Sequence, residues 1–170
     1  MPVSGRAVGL PIVLLALAIA AAPAASGAAP PELVAVADIG FTDSSGEAAD
    51  QRAAHETRRL ALTQDVRSDI GKEGRLRGLS LACDGACRLD AQGVEALRQR
   101  ARQEGARFLL VGSVHKMSTL VLSMRVAVLD AATGKLVFER LLSFRGDNDE
   151  GWRHAGDYVA REVAQALPPP

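Results

Sequence analysis

An acid, an imidazole, an ammonium group and a pair of thiols stand in this sequence where α/β proteins do chemistry. Asp38 closes one apolar run, His115 and Lys116 close another, and Cys83 and Cys87 occupy a loop after a third. In open α/β sheets ligands gather in the crevice beyond the carboxyl ends of the parallel strands, so Asp38, the Cys83–Cys87 loop, His115 and Lys116 are candidates to line a small polar pocket. The acid, imidazole and ammonium suffice for anion binding or proton transfer. The competing expectation is that Asp38 caps a loop while His115 and Lys116 are solvated residues at a strand exit.

Cys83-Asp84-Gly85-Ala86-Cys87 is expected to close as a disulfide, with Asp84-Gly85 supplying the turn. Its spacing is not the redox C-x-x-C. Zinc would need two further ligands, and His55, His115 and His154 lie elsewhere. The acidic run Asp147-Asn148-Asp149-Glu150-Gly151 suggests calcium, but a calcium loop beginning at Asp147 would need Gly and Glu where Trp152 and Tyr158 stand. The run reads instead as a helix start, with Asp147 or Asn148 as cap and Asp149 and Glu150 at the positive end of the helix. Trp152 is expected to anchor that helix in the core. Gly71-Lys72-Glu73-Gly74 imitates the GXXG of an RNA-binding KH domain, a weak match, and Arg98, Arg100 and Arg102 fall on different helix faces. With no dinucleotide, phosphate-loop, nucleophile-elbow or zincin motif, the sequence predicts no enzyme, no cofactor and no metal.

The elements that must position these residues follow from periodicity. Leu33–Ala37 is a continuously apolar strand covered on both faces, followed by loop chemistry from Thr42 to Gly46. A helix is predicted from about Glu47 to Ile70, with Leu62, Val66 and Ile70 as its buried stripe and Arg58 and Arg59 in water. Leu76, Leu79 and Leu81 mark a second strand. Asp90 caps a helix carrying Ala91, Val94, Leu97 and Ala101 on one face, and Gly105 closes it. Phe108–Val111 is a central buried strand.

Thr119–Leu129 alternates, with Leu120, Leu122, Met124, Val126 and Val128 inward, and turns at Asp130–Gly134 into a returning strand, Lys135–Arg145. That strand is expected to turn Leu136, Phe138, Leu142 and Phe144 inward. A last helix spans about Asp149 to Leu167. The order β-α-β-α-β-β-β-α predicts a single α/β domain, a mixed five-stranded sheet with three helices, the first three strands parallel and the hairpin antiparallel.

Composition bounds the partners. The 170 residues carry 20 basic and 20 acidic side chains, so no charge excess points to nucleic acid, and 48% hydrophobic with 24% charged residues is ordinary for a globular chain. The first 28 residues have the three-part pattern of a secretory signal: Arg6, eleven apolar residues from Ile12 to Ala22, and the small-residue stretch Ala24–Ala28. Cleavage is expected after Ala28, with Ala24 the alternative, leaving 29–170 as the domain. A spanning anchor would need about 20 apolar residues, and this run is flanked by Gly9, Pro11 and Pro23. No Cys precedes Cys83 to take a lipid, so a released periplasmic or secreted product without stable membrane insertion is expected.

Three motifs then carry a resemblance. Lys116-Met117-Ser118-Thr119-Leu120, Asp130-Ala131-Ala132-Thr133-Gly134 and Arg145-Gly146-Asp147-Asn148-Asp149-Glu150-Gly151-Trp152 resemble an uncharacterised family of secreted bacterial domains with Lys-x-Ser-x-Leu, Asp-x-x-Thr-Gly and Arg-Gly-Asn-x-Asp-Glu-x-Trp signatures. Asp147 departs from the Asn of the third. The element order is also similar to that of the amino-terminal domain of TolB and of other envelope accessory domains, which are binding modules. The resemblance implies an exported, non-catalytic accessory domain whose partner is another envelope protein. The resemblance also implies a link to periplasmic quinoprotein alcohol oxidation, while the residues themselves leave two alternatives open: a small-ligand domain using the strand-end crevice, or an enzyme of unknown class.

Overall fold

Apolar runs and helical stripes assemble into one mixed sheet with two helices on one face and a single helix on the other. The structure, a computed structural model, describes residues 29–85 and 87–168 together with 1, 2 and 5. The signal-like segment 6–28 lies outside the described residues. Among the described residues, no helix is long and apolar enough to cross a membrane.

The elements are β1 (Glu32–Ala37), β2 (Gly40–Asp43), α1 (Arg52–Asp69), β3 (Leu76–Leu81), α2 (Ala91–Gln103), β4 (Phe108–Lys116), β5 (Val121–Asp130), β6 (Leu136–Arg145) and α3 (Asp149–Ala166). The sheet runs β3-β1-β4-β5-β6, with β2 also paired to β4. β1 is parallel to both β3 and β4, and β4, β5 and β6 are successively antiparallel, as the element order predicts.

The added strand is β2. The chain leaves β1 at Asp38 and continues alongside β4, pairing Gly40 with Ser113 and Asp43 with Lys116. Where the ladder breaks, the amide of Ile39 is satisfied by the Thr63 hydroxyl at 3.1 Å. A four-residue strand containing Gly and Asp has little pattern of its own, which is why Thr42 reads as loop from sequence. The first helix likewise begins at Arg52, and 44–51 form a strap over the end of β4 instead of a first turn.

Pleating divides the core. Val34, Val36, Phe108, Leu110, Val114, Leu122, Met124, Val126 and Val128 face α1 and α3, where Leu62, Val66, Ile70, Trp152, Val159 and Val163 meet them. Ala35, Ala37, Leu81, Leu109 and Val111 face α2 through Leu97 and Ala101. Two expected inward residues turn out. Leu120 precedes β5 and is 64% exposed, and an irregularity opposite Val128 and Leu129 turns Val137 inward and leaves Leu136 exposed.

The approach of α1 to β3 depends on one glycine. A Cβ at Gly78 would overlap the Arg67 carbonyl oxygen and lie 2.7 Å from Arg67 Cγ. Gly78→Ala is expected to lower stability by about 1–3 kcal/mol, read from urea denaturation, because helix and strand must part.

Candidate functional site

Lys116 is the last residue of β4, and the strand alternation that buries Val114 sends its side chain to the same face, under the 44–51 strap. It is fully buried. The ammonium has three donors, and three acceptors meet it: Asp147 Oδ2 at 2.6 Å, Gln51 Oε1 at 3.1 Å, and Glu47 Oε2 in close contact. Burial alone would depress its pKa, but the hydrogen bonds to Asp147 and Glu47 outweigh that and raise it, so the group stays charged.

Asp147 is the other centre. Its Oδ2 also accepts from His55 Nε2 at 2.7 Å, while Oδ1 accepts from Arg58 Nη1 and Trp152 Nε1, both at 3.1 Å. Burial works to raise the carboxyl, yet hydrogen bonds from His55, Lys116 and Trp152 hold it at about 2. Since Asp147 is a carboxylate, His55 donates its Nε2–H to it. His55 and Trp152 are themselves buried, and Phe41 packs against both, its ring 4.5 Å from the imidazole and 5.6 Å from the indole.

The family-like motifs thus meet at one point: Lys116 from the first, Asp147 and Trp152 from the third. Within the third, Asn148 makes the cap, accepting from the Gly151 amide at 2.8 Å. Asp147 does not cap; its four accepted bonds leave it no free lone pair for calcium. Asp149 bonds Arg58 at 2.9 Å, and Glu150 sits in the exposed first turn. In the second motif Asp130 accepts from the Thr133 amide and hydroxyl, and Gly134 takes φ 73°, so this is a turn device. Ser118 accepts from the Val121 amide at 3.2 Å, closing the β4–β5 turn, and leaves Met117 and Leu120 exposed. Arg145 is exposed on β6, with Gly146 following at φ 90°.

The three expected pocket residues separate. Asp38 accepts from the Cys83 amide at 3.1 Å and lines a concavity of about 490 Å³, together with Phe41, His55, Arg59, Cys83 and Cys87. This crevice opens where β1 leaves β3, the place the strand ends predict. His115 points to the opposite sheet face from Lys116 and bonds Ser44 Oγ at 2.7 Å. Lys116 is neither in the crevice nor solvated. A strand exit normally releases a Lys to water; here β2, the strap and α3 close over it.

Sequence reasoning missed Glu47, Gln51, His55 and Arg58. A signal was present: they continue, at three- and four-residue spacing, the stripe that Leu62, Val66 and Ile70 begin. Polar residues in line with a buried stripe mark a buried polar site. Arg58 and Arg59, expected in water, are instead largely covered, Arg59 by Glu56 and the Ile39 carbonyl.

The disulfide between Cys83 and Cys87 is formed, with Cα atoms 5.3 Å apart and Gly85 at φ 85°. It closes a loop of only a few residues on the crevice wall. Reduction is expected to cost no more than about 2 kcal/mol of global stability, because short loops lose little entropy on closure. Urea denaturation with and without dithiothreitol measures it.

A mixed sheet with a buried Lys–Asp–His–Trp cluster at the end of its central strand defines an α/β domain whose polar centre joins the strap, α1, β4 and α3. The chain belongs to the DUF3280 family, described as protein of unknown function (DUF2380), whose model matches residues 32–163 and so takes in all three motifs. No curated protein matches the chain. Among solved structures it is similar to the PelC dodecamer from Paraburkholderia phytofirmans, with TM-score 0.52 and 15% identity, covering 84% of this chain and 91% of that one. TolB from Acinetobacter baumannii gives 0.47 at 16% identity, covering 82% of this chain and 29% of that one. The LpoB C-terminal domain from Salmonella enterica gives 0.42 at 11%, covering 69% and 85%. At 15% identity the likeness to PelC is one of fold.

Proposed function

We propose that this chain is an exported, non-catalytic accessory domain that docks on another envelope protein. One observation carries the reading: the groups best suited to acid–base work are saturated by one another. Lys116 spends three donors on three acceptors, and Asp147 accepts from four donors. Such a network holds the strap, α1, β4 and α3 in one arrangement. It thereby fixes the β4–β5 turn, where Met117 and Leu120 stand 43% and 64% exposed beside the buried Lys116. Apolar side chains on a rigid tip suit protein docking. The signal-like segment supports export to the periplasm or beyond, and the implied link to quinoprotein alcohol oxidation nominates an exported oxidoreductase as partner class.

Affinity capture of the tagged full chain from its native envelope tests this. A protein recovered with the wild type and lost with Met117→Ser/Leu120→Ser supports the docking tip. Equal recovery with both, or no stable partner, counts against it.

A second reading rests on the crevice. Its wall combines Asp38, the Arg59–Glu56 pair and the Phe41 ring, a set suited to a small polar ligand with one apolar face. A thermal shift with an envelope metabolite that Asp38→Ala abolishes would favour this reading. An unchanged melting temperature across such a panel would remove it.

A further inference from the structure

The sheet ends on β6, a ten-residue strand without Pro or Gly, bonded to β5 on one side and to no strand on the other among the described residues. Such an edge is a template for another strand. Its side chains narrow the choice of partner. Antiparallel pairing of an edge with its own copy about a two-fold axis sets residues i and j opposite each other with a constant sum. Matching the alternation of outward amides permits only even sums, so the axis passes through a residue.

Three such axes overlap β6 well. An axis at Arg140 faces two guanidinium groups and sets Lys135 against Arg145, which repels. An axis at Leu141 puts neither Glu139 nor Arg145 directly opposite its complement. An axis at Leu142 sets Glu139 opposite Arg145 of the second copy, twice by symmetry, with Leu142 opposite itself on the half-buried face. The groups this register uses are available. Arg145 makes no ion pair among the described residues, and Glu139 has only a 3.5 Å contact to the exposed Arg125. Leu141, 60% exposed, gains a neighbour across the new ladder.

We propose that the protein forms a two-fold dimer through antiparallel β6–β6 pairing centred on Leu142, with reciprocal Glu139–Arg145 pairs that set the register. This goes beyond the docking function and stands apart from it, since the β4–β5 tip is a separate surface and each test can fail alone.

Charge reversal followed by light scattering on the purified protein tests the register. The wild type is expected at twice the chain mass. Glu139→Arg and Arg145→Glu each place like charges opposite one another twice and are expected to halve the mass, with unchanged circular dichroism. An equimolar mixture of the two variants should return to twice the chain mass as a one-to-one heterodimer. In it the two substituted side chains face each other with opposite charge, and the remaining native Arg145 and Glu139 face each other as before. A chain carrying both reversals should dimerise by itself. A wild type that stays monomeric up to its solubility limit would overturn the proposal. So would single variants that remain dimeric, or a mixture that remains monomeric.

Discussion

Asp147→Ala is expected to lower stability by about 3–5 kcal/mol, the cost of leaving buried charge without its partner. The carboxylate is the common acceptor of Lys116, His55, Arg58 and Trp152, and three of those four side chains are almost completely buried. Removing it leaves the Lys116 ammonium with Glu47 and Gln51 alone. Asp147→Asn, which installs the residue of the family signature, keeps the volume and one carbonyl oxygen. It should fall between wild type and Ala, because that oxygen still accepts while the new amide cannot accept from Lys116 and His55. Urea denaturation of the three proteins decides this; equal midpoints for Asp147→Ala and wild type would refute the structural role.

Acid titration gives the same prediction a second form. Asp147 is held at about 2, below its ordinary 3.8. A depressed carboxyl stabilises the fold at pH values above its unfolded pKa, and that contribution is lost as the pH falls through the folded one. Stability from Asp147 is thus complete above about pH 4 and disappears progressively toward pH 2, an effect on the order of 2 kcal/mol. In Asp147→Asn this acid-linked loss should shrink.

Trp152→Ala should cost about 3–5 kcal/mol through the cavity left by a fully buried indole. The indole joins the first turn of α3 to the sheet, packing on Phe41 and meeting Phe144 edge-on at 6.3 Å. Trp152→Phe separates packing from the hydrogen bond: it retains an aromatic ring but removes the donor to Asp147, for an expected loss of about 1–3 kcal/mol. The coupling between Trp152→Phe and Asp147→Ala, measured by a double-mutant cycle, should be clearly non-zero. Additivity would mean that the 3.1 Å bond does not matter energetically. As Trp152 is the only Trp, its emission should shift to longer wavelength on acid unfolding.

These effects arise at a site that was half visible in the sequence. The motifs containing Lys116, Asp147 and Trp152 were legible, and so was the core role of Trp152, because a lone indole in register with Val159 and Val163 must face inward. Asn148 was one of two readable caps for the last helix. What linear reading misplaced was Lys116, because strand ends usually open to water and only tertiary closure by β2 and the strap denies it that. The outward turn of Leu136 was also hidden, since a register irregularity belongs to the pairing of two strands and to neither alone.

By itself, the sequence determined everything that depends on periodicity and local chemistry: three helices, the parallel core strands, the hairpin and the Asp84-Gly85 turn. Those signals act over a few residues, so the chain carries them wherever it goes. The tertiary structure alone decided that Glu47, Gln51, His55, Arg58, Lys116, Asp147 and Trp152 form one object, and that Asp38 and His115 stand apart from it. Glu47 and Lys116 are 69 residues apart, and His55 and Asp147 are 92. No local preference selects such pairs; they form because the folded core excludes water from charges that then satisfy only one another.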